Sequence, residues 1–483
     1  MPHIEILPEA PPPVDTDKVG LMGLFEARKS IYPAKVDGTF RRTKWAVMAL
    51  LLGIYYLMPW VRWERGVGAP NQAILVDVME RKFYFFFIEV WPQEVFYFTG
   101  LLLLGALGLF FATTLFGRVW CGYACPQTVW TDLFLHVERF FEGDRNAQVK
   151  LNNAPWSFNK LWRKSAKHVS WILIGLATGG AWVFYFHDAP TLWSNMLHGQ
   201  FDFIPTFWMV FLTFSTYVMA GFAREQVCTY MCPYARFQGA MFDEESMLVT
   251  YDSQRGEPRG KGASHGDCVD CGRCIAVCPT GIDIRDGQQY RCINCGLCVD
   301  ACATVMTKLG KPAGLIRYNT LNNTIPANIG WWGTWKAGRF VRPRTVIYAS
   351  IMAVVSVTML YSLTHRPLVT LSMLHQRNPL FVNLSNHDIR NTYTVRVGNK
   401  TWQPATYTLT STLPLHLRTA DVQPHSNGAL SLTINPGKVA EFTVFATVSP
   451  TVFAQSHTPV TFTLSGTGGT ETYTTVFIAP ERE

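Results

Sequence analysis

Five apolar segments alternate with polar stretches along the 483-residue chain. A helix needs about 20 mostly apolar residues to cross the hydrocarbon core of a bilayer. By this criterion the predicted membrane helices are Trp45–Val61, Val95–Phe116, His168–Phe186, Phe203–Ala223 and Thr345–Leu363. The apolar stretch Lys82–Val90 is too short to cross, and we expect it to lie at the membrane interface or to re-enter the membrane. The hydropathy pattern therefore predicts an α-helical membrane protein with five transmembrane helices.

The C-terminal part of the chain has a different pattern. Short runs rich in Thr, Val, Phe and Tyr alternate with turn signals, which is typical of antiparallel strands. The predicted strands are Phe381–Leu384, Thr392–Val397, Ala405–Leu409, Ala429–Ile434, Ala440–Thr447, Val460–Leu464 and Thr472–Ile478. About seven short strands at this spacing predict an immunoglobulin-like β-sandwich.

These elements divide the chain into successive segments. The first is polar and begins with a proline-rich stretch, which we expect to be extended or disordered. The predicted order is an N-terminal segment (1–44), transmembrane helices 1–4 (45–223), a polar segment with its core at 255–310 (224–344), transmembrane helix 5 (345–363) and the sandwich (364–483).

The distribution of charge predicts the orientation. Only 16% of the residues are charged, and the net charge is +8. Basic residues cluster before the first helix and between helices two and three, whereas residues 187–202 contain no Lys or Arg. Because cytoplasmic loops are enriched in Lys and Arg, the N-terminus and the 224–344 segment are predicted to be cytoplasmic and the C-terminus periplasmic. The positive charge thus indicates one face of a bacterial inner membrane, and we predict no nucleic-acid partner.

Eight cysteines between Cys268 and Cys302 give the strongest chemical signal. They follow the spacing Cys-x2-Cys-x2-Cys-x3-Cys twice, with Pro279 after the first run and Ala303 after the second. In two-cluster ferredoxins with this spacing, the fourth cysteine of each run ligates the other cluster. We therefore predict a two-[4Fe–4S] ferredoxin segment in which one cluster is held by Cys268, Cys271, Cys274 and Cys302, and the other by Cys292, Cys295, Cys298 and Cys278.

Structural zinc and disulfides are the alternatives for these eight residues. Zinc sites usually space their cysteines as two separated pairs, unlike the overlapping triplets found here. Disulfides require an oxidising compartment, whereas this segment is predicted to face the cytoplasm. Iron–sulfur clusters explain the spacing better than either alternative.

The remaining four cysteines form a repeated motif. The second and fourth predicted helices both end in Cys-x3-Cys-Pro, with Cys121 and Cys125 in the first copy and Cys228 and Cys232 in the second. Residues four apart share one helix face, and the proline disfavours helical geometry at the second cysteine. We expect the four thiols to gather at the cytoplasmic membrane surface, near the clusters. They are candidates for a copper site, to which Met231 could add a thioether ligand.

The paired cysteines also fit four alternative roles. They could be buried structural residues, a dithiol that donates electrons and closes to a disulfide, a third cluster or a zinc site. Predicted helices one, two and four contain no histidine, which disfavours a haem-bearing quinol dehydrogenase. No Gly-rich nucleotide motif follows a strand, so no NAD or flavin site is indicated.

Together these features resemble the cytochrome c oxidase accessory proteins of the FixG/CcoG (RdxA) family. The resemblance covers nearly the whole chain: five spans, two Cys-x3-Cys-Pro helix ends, a two-cluster segment and an outer sandwich. It implies a role in assembling a cbb-type oxidase, by reducing Cu(II) to Cu(I) before copper reaches the enzyme. It also implies that the eight cysteines hold clusters and that Cys121, Cys125, Cys228 and Cys232 handle copper.

The implied partners are oxidase subunits, copper-delivery proteins and an unknown cytoplasmic electron donor, and a homo-oligomer is possible. The expected mechanism is electron entry from that donor, relay through both clusters and reduction of copper at the paired cysteines. One alternative is a subunit that delivers electrons to another membrane protein without handling copper. Another is a non-enzymatic scaffold whose sandwich docks oxidase subunits.

Overall fold

The computed structural model describes residues 30–66, 69–262, 264–320, 341–419, 429–449 and 456–480. The predicted proline-rich beginning of the N-terminal segment lies in residues 1–29, outside this described part.

Helices occupy all five predicted spans. They are α1 (Thr39–Leu57), α2 (Phe96–Phe116), α6 (Phe158–Phe184), α8 (Phe203–Thr216, continued by π-helical turns at Tyr217–Ala223) and α13 (Pro343–Thr364). By length and composition, three described segments could cross a membrane: Pro92–Phe116, Phe203–Ala223 and Pro343–Thr364. The helices α1 and α6 begin well before the predicted spans and include basic residues in their first turns. These two helices therefore begin earlier than the predicted spans, whose bounds in the membrane stay a prediction.

The long helices pack through small residues, as membrane helices commonly do. A Cβ atom added at Gly179 of α6 would lie 2.5 Å from the carbonyl oxygen of Met209 in α8. A Cβ at Gly100 of α2 would lie only 2.9 Å from the terminal methyl carbon of Met359 in α13. Glycine at these positions lets each pair of helices approach closely.

Further helices connect or flank the long ones, and two short strands flank the cysteine-rich segment. The helices are α3 (Val119–Tyr123), α4 (Pro126–Glu142), α5 (Arg145–Asn153), α7 (Ala189–Leu197), α9 (Pro233–Met241), α10 (Ser253–Gly256), α11 (Arg273–Ala276) and α12 (Leu297–Lys308). The strands β4 (Leu248–Tyr251) and β5 (Ile316–Asn319) pair in an antiparallel manner. This pairing brings the two ends of the cysteine-rich segment together.

The stretch Lys82–Val90 differs from the expectation. It forms β2 (Lys82–Phe85) and β3 (Ile88–Val90), which continue an antiparallel sheet with β1 (Ile74–Asp77). Side chains alternate in burial along β2, so the segment has strand periodicity in spite of its continuous apolar sequence. The strand structure of this segment was not predicted, whereas its position at the membrane interface stays a prediction.

The C-terminal domain is a two-sheet sandwich with its core between the sheets. One sheet has the strand order β10-β12-β8-β6, with β7 also paired to β8, and the other has the order β11-β9-β13-β14. The strands are β6 (Val369–His375), β7 (Val382–Asn383), β8 (Ile389–Asn399), β9 (Ala405–Ser411), β10 (His416–Thr419), β11 (Leu430–Ile434), β12 (Val439–Val448), β13 (His457–Gly466) and β14 (Gly469–Ile478). All seven predicted strands are present, whereas β6 and β10 were missed.

The sandwich and the cysteine-rich segment contact opposite ends of α2. Near its N-terminal end, Glu94 accepts a 2.6 Å bond from Lys400 of the sandwich. At its C-terminal end, the carbonyl of Phe116 accepts a bond from Asn294 of the cysteine-rich segment. A helix of this length spans about 32 Å, close to the thickness of a bilayer core. The two polar parts of the chain are therefore separated by a membrane-sized distance.

Candidate metal centre

Two cavities within the cysteine-rich segment are each lined by cysteines. The first is lined by Cys268, Cys271, Cys274 and Cys302. The second is lined by Cys278, Cys292, Cys295 and Cys298, with Cys274 also at its wall. The fourth cysteine of each run thus faces the cavity of the other run. The structure brings together the same two sets of four residues that the spacing predicts.

The loops around the two cavities have the same backbone geometry. Asp270 and Asn294, which precede the second cysteine of each run, have φ values of 51° and 57°. Gly272 and Gly296, which follow that cysteine, have φ values of 61° and 73°. Residues with positive φ turn the chain sharply, so each loop curves around its cavity. This repetition supports two equivalent sites.

Except for Cys271, the thiols of the two cavities are buried or partly buried, and burial affects their protonation. Burial raises the pKa of Cys274 to about 11 and that of Cys302 to about 12, although Arg285 partly opposes the shift at Cys274. Burial likewise raises the pKa of Cys292 to about 12, with Arg118 opposing it. Thiolates are the form that binds metals, so iron binding must displace these protons. The residues present therefore fit two iron–sulfur clusters.

The cavities differ in their distance from solvent. Cys271 of the first cavity is exposed, whereas Cys292 and Cys295 of the second are buried. The second cavity is the one that faces the membrane helices, because its loop contacts α3 at the end of α2. The two sites therefore form a path from the protein surface toward the helix ends.

The two Cys-x3-Cys-Pro motifs have matching local structures. In the first, α2 ends at Gly117 with φ 57°, the short helix α3 carries Cys121, and Cys125 is extended before α4. In the second, the π-helical turns end at Arg224 with φ 40°, a further π-helical turn at Val227–Met231 carries Cys228, and Cys232 is extended before α9. The predicted effect of proline on the second cysteine is confirmed. The expectation that both cysteines share one helix face is wrong, because the short helix ends before the second cysteine.

The four paired thiols lie close enough to affect one another electrostatically. Burial raises the pKa of Cys228 to about 12, and repulsion from Cys125 and Cys121 adds to the shift. Burial also raises the pKa of Cys121 to about 11, with contributions from Cys125 and Cys232. Among the described residues, no three His, Cys, Asp or Glu side chains stand close enough to hold a single metal ion. The Met231 side chain is exposed to solvent, which does not suit a ligand of a buried thiol site.

The first pair of cysteines contacts the loop of the second cavity directly. A Cβ atom at Gly122 would lie 2.7 Å from the carbonyl oxygen of Ile293 and 3.1 Å from Cα of Cys295. The Tyr123 hydroxyl donates to the carbonyl of Cys295 at 3.0 Å. Arg118 donates to the carbonyl of Cys292 at 3.2 Å. The paired cysteines are therefore packed against the buried cluster cavity.

A glutamine that follows each motif forms hydrogen bonds with residues at the other motif. Gln238, after the second motif, accepts bonds from Nε of Arg118 at 3.0 Å and from the Cys121 thiol at 3.1 Å. Gln127, after the first motif, donates to the carbonyls of Met219 and Arg224 at 2.8 and 3.2 Å. Each motif thus stabilises the helix end of the other. This exchange fixes the position of the four thiols.

A narrow cleft on the other side of Cys228 contains buried charges. It is lined by Lys44, Asp132, Arg224, Glu225 and Pro279, among other residues. Arg41 of α1 pairs with Asp132 at 2.9 Å, and Lys44 is 4.0 Å from the same oxygen. Lys44 also opposes the raised pKa that burial gives to Cys295. A cation therefore lies between the second cavity and the paired cysteines.

Sequence reasoning missed several residues of this site. Gly122, Arg118, Gln238 and Lys44 were visible in or near the motifs, but no role was assigned to them. Gly122 offered a signal, because a glycine between two candidate ligands often marks a close backbone approach. The position of Lys44 offered none, since a basic residue before an apolar helix usually faces the cytoplasm.

The fold and the site define an iron–sulfur protein with helices suited to a membrane. Three family descriptions match the chain: "4Fe-4S dicluster domain" at residues 223–321, "4Fe-4S binding domain" at 98–142 and "IG-like fold at C-terminal of FixG" at 359–480. The "4Fe-4S binding domain" match contains Cys121 and Cys125, and the dicluster match begins before Cys228.

Curated relatives cover most of the chain. "Nitrogen fixation protein FixG" from Rhizobium meliloti is 46% identical over 90% of this chain and 89% of its own length. "Protein RdxB" and "Protein RdxA" from Cereibacter sphaeroides are 46% and 47% identical, over 89% and 78% of this chain and 89% and 81% of their own lengths. A crystal structure of a FixG-related protein from Vibrio parahaemolyticus aligns with 23% of this chain and 95% of its own, at 22% identity and a TM-score of 0.20. The chain belongs to the FixG/RdxA/RdxB family.

Proposed function

We propose that this protein reduces Cu(II) to Cu(I) for insertion into a cbb-type cytochrome c oxidase. The observation that carries the proposal is the contact of Gly122 with the backbone of Cys295, which sets the paired cysteines against the second four-thiol cavity. Soft thiolates select Cu(I) over harder ions. Paired thiols beside an electron-transfer site therefore suit a place that receives Cu(II) as substrate and holds the reduced ion.

The cluster ligands in this proposal are the eight cysteines of the two cavities. A bound [4Fe–4S] cluster supplies one-electron chemistry at each cavity, which matches the single electron that Cu(II) needs. The chain contributes the cations Arg285, Arg118 and Lys44, which offset the negative charge of the buried thiolates. It also excludes water from the second cavity, where Cys292 and Cys295 are buried.

The proposed topology has five transmembrane helices, with the cysteine-rich segment in the cytoplasm and the sandwich in the periplasm. It is supported by the asymmetry of Lys and Arg in the loops and by the contacts of the two parts with opposite ends of α2. The sandwich could then meet oxidase subunits and copper-delivery proteins, which we propose as partners.

The test is a variant in which Cys121, Cys125, Cys228 and Cys232 are all replaced by serine. Hydroxyls are harder, weakly acidic ligands, so Cu(I) binding and Cu(II) reduction should be lost. The iron content should stay at about eight atoms per chain, because the two cavities keep their own ligands. Met231→Leu is the matched control, since that side chain is exposed, and it should reduce Cu(II) normally. Unchanged copper binding and reduction in the four-serine variant would overturn the proposal.

A second candidate is that the paired cysteines hold a third iron–sulfur cluster. It is favoured by the match of a "4Fe-4S binding domain" to residues 98–142, where Cys121 and Cys125 are the cysteines present. In that case the wild-type protein should contain about twelve irons, and the four-serine variant should lose about four. Iron analysis of both proteins decides between the two candidates.

The same measurements separate the two remaining classes of function. An electron-transfer subunit that does not handle copper would keep redox-active iron but show no Cu(II) reduction in the wild-type protein. A non-enzymatic scaffold would also show no Cu(II) reduction. Unlike the electron-transfer subunit, it would still support oxidase assembly after substitution of Cys274 and Cys295 had removed its clusters. Either pattern would replace copper reduction as the function.

A further inference from the structure

A cavity of about 330 Å³ lies beside the paired-cysteine site, within the size range of small-molecule sites. It is open on one side and is lined by residues of α4, α6, the π-helical turns at Tyr217–Ala223 and the segment at 30–32. Its lining includes Tyr32, Glu138, His168, Trp171, Phe222 and Arg224. Neither the cluster cavities nor the copper proposal uses these side chains.

The basic side chains that line the cavity already form ion pairs with carboxylates. Arg224 lies 3.0 Å from Glu138, and Lys167 lies 2.9 Å from Glu142 and 3.5 Å from Glu138. Lys164 is 2.9 Å from Glu142. A bound anion would have to compete with these buried carboxylates for the same cations. The lining therefore favours an uncharged ligand.

Aromatic rings form part of the wall. Trp171 is buried, and its ring contacts the Phe222 ring edge-on at 6.2 Å. The His168 ring is stacked on Phe222 at 6.0 Å with an interplanar angle of 12°. Flat walls of this kind suit a planar ring, because offset stacking of aromatic systems is favourable.

One polar group at the wall can exchange a proton. Nδ1 of His168 is held by the Tyr217 hydroxyl at 3.0 Å. Within the described part of the chain, Nε2 of His168 has no hydrogen-bond partner. A neutral imidazole has a lone pair on its unprotonated ring nitrogen, so it can accept a hydrogen bond from a phenolic O–H and take up the proton when the phenol is oxidised. The cavity thus combines aromatic walls with a proton acceptor.

The cavity lies between the membrane side and the redox site. Phe222 is 44% exposed and belongs to Phe203–Ala223, one of the segments apolar enough to cross a membrane. Arg224 and Glu225 line both this cavity and the narrow cleft that contains Cys228 and Pro279. Pro279 follows Cys278 of the second cluster cavity. A ligand entering from the lipid would therefore reach a position next to the electron-transfer residues.

We propose that this cavity binds a membrane quinol, which is the electron donor of the protein. A quinol is an uncharged planar ring that dissolves in the bilayer and releases two electrons and two protons on becoming a quinone. Two Cu(II) ions each take one electron and become Cu(I), so the electrons balance. His168 Nε2 accepts one phenolic proton, and the other passes to water at the cavity mouth. The transfer of the electrons to copper rests on the proposed function. The binding of the quinol in this cavity does not depend on it.

The test measures binding of decylubiquinol, the reduced form that carries the phenolic protons, and of decylubiquinone for comparison, to the purified full-length protein by anaerobic calorimetry, without copper. We expect one saturable site per chain, and an azido-quinone should crosslink to peptides from α6 or Tyr217–Ala223. His168→Phe removes the ring nitrogen that accepts a phenolic hydrogen bond, so the affinity for the quinol should fall about tenfold, or about 1.4 kcal/mol. His198→Phe is the matched control, because His198 is exposed at the far end of α7, and it should bind normally.

A second variant keeps the proposal open to refutation if His168→Phe does not fold. Phe222→Ala removes an exposed ring and should weaken quinone binding while iron content stays normal. The proposal is overturned if the wild-type protein has no saturable site, if both variants bind normally, or if anionic lipid displaces the probe while quinone does not. The four-serine variant separates the two proposals. If it still binds quinone and still reduces copper, the copper site is refuted and the quinol site is retained. An absence of quinone binding with copper reduction intact would instead indicate a cytoplasmic donor, for which the exposed Cys271 marks the entry point.

Discussion

The contact at Gly122 gives the sharpest test of how the paired cysteines are coupled to the second cluster cavity. In a Gly122→Ala variant, the new Cβ would meet the carbonyl oxygens of Ile293 and Asn294 at 2.7 and 3.2 Å and Cα of Cys295 at 3.1 Å. These are backbone atoms, so no side-chain rotation can relieve the contact. Such overpacking typically costs about 1–3 kcal/mol. The gain in helix propensity from glycine to alanine offsets at most about 1 kcal/mol of this cost.

From the middle of this range, about 2 kcal/mol, the offset leaves a net loss of about 1–2 kcal/mol. It should appear as easier opening of the loop around Cys292 and Cys295. An opening equilibrium shifted by this amount changes by a factor of about 5–30. The assay is the rate at which the anaerobically purified protein loses iron to a chelator. We expect Gly122→Ala to release about four irons faster by that factor, and the other four at the wild-type rate.

Gly105→Ala is the matched control, because Gly105 also lies in a helix and its Cβ would meet nothing within 4 Å. It should release iron at the wild-type rate. Equal rates in Gly122→Ala and in this control would refute the inferred close packing of the first motif on the cluster loop.

Three further outcomes are expected. Lys400→Met leaves Arg366, at 3.6 Å, as the basic partner of the buried Glu94 carboxylate; the loss should stay below the cost of a fully unpaired buried charge, about 3–5 kcal/mol, and limited proteolysis should release the sandwich more readily. A reporter active only in the periplasm should be active when fused after Thr364 and silent when fused within residues 255–265. Asp300→Ala removes the carboxylate that accepts bonds from the backbone N–H groups at the start of α1; loss of such a cap costs about 0.5–2 kcal/mol, which should speed amide hydrogen exchange in the first turn of α1.

Each of these outcomes has its own control. For the first, Arg396→Met breaks an exposed pair with Glu441, at 2.8 Å, and should cost no more than about 1 kcal/mol. Equal proteolysis in the two variants would contradict the proposed anchoring of the sandwich. For the second, the reverse reporter pattern would invert the topology. For the third, unchanged exchange at α1 would show that the cap carries no stability.

The cysteine-rich segment and the sandwich could be predicted in detail because their signals are local. Three ligands of each cluster lie within seven residues of one another, so their spacing already reflects the curvature of the loop. The strand signals of the sandwich rest on alternation within single strands, and β6 and β10 were missed because that alternation is weak there.

The beginnings of α1 and α6 could not be predicted, because their N-terminal turns are held by ion pairs with a distant helix. Arg41 pairs with Asp132 of α4, and Lys167 pairs with Glu142 of the same helix. Hydropathy alone indicates that these basic residues lie outside the membrane segment, before it begins. Only the packing against α4 shows that the helices continue through them.

The sequence by itself determined the eight clustered cysteines, the paired motifs, the apolar segments and the sandwich, since each depends on residues close together in the chain. The tertiary structure alone decided that Gly122 contacts the loop of Cys295 and that His168 and Phe222 line a cavity. It also decided that Gln127 and Gln238 each bond to the opposite motif. The hydrogen bonds at these places join residues between 49 and 172 positions apart. No local pattern records such contacts, because they arise from the way the helices pack and from the space that the packing leaves.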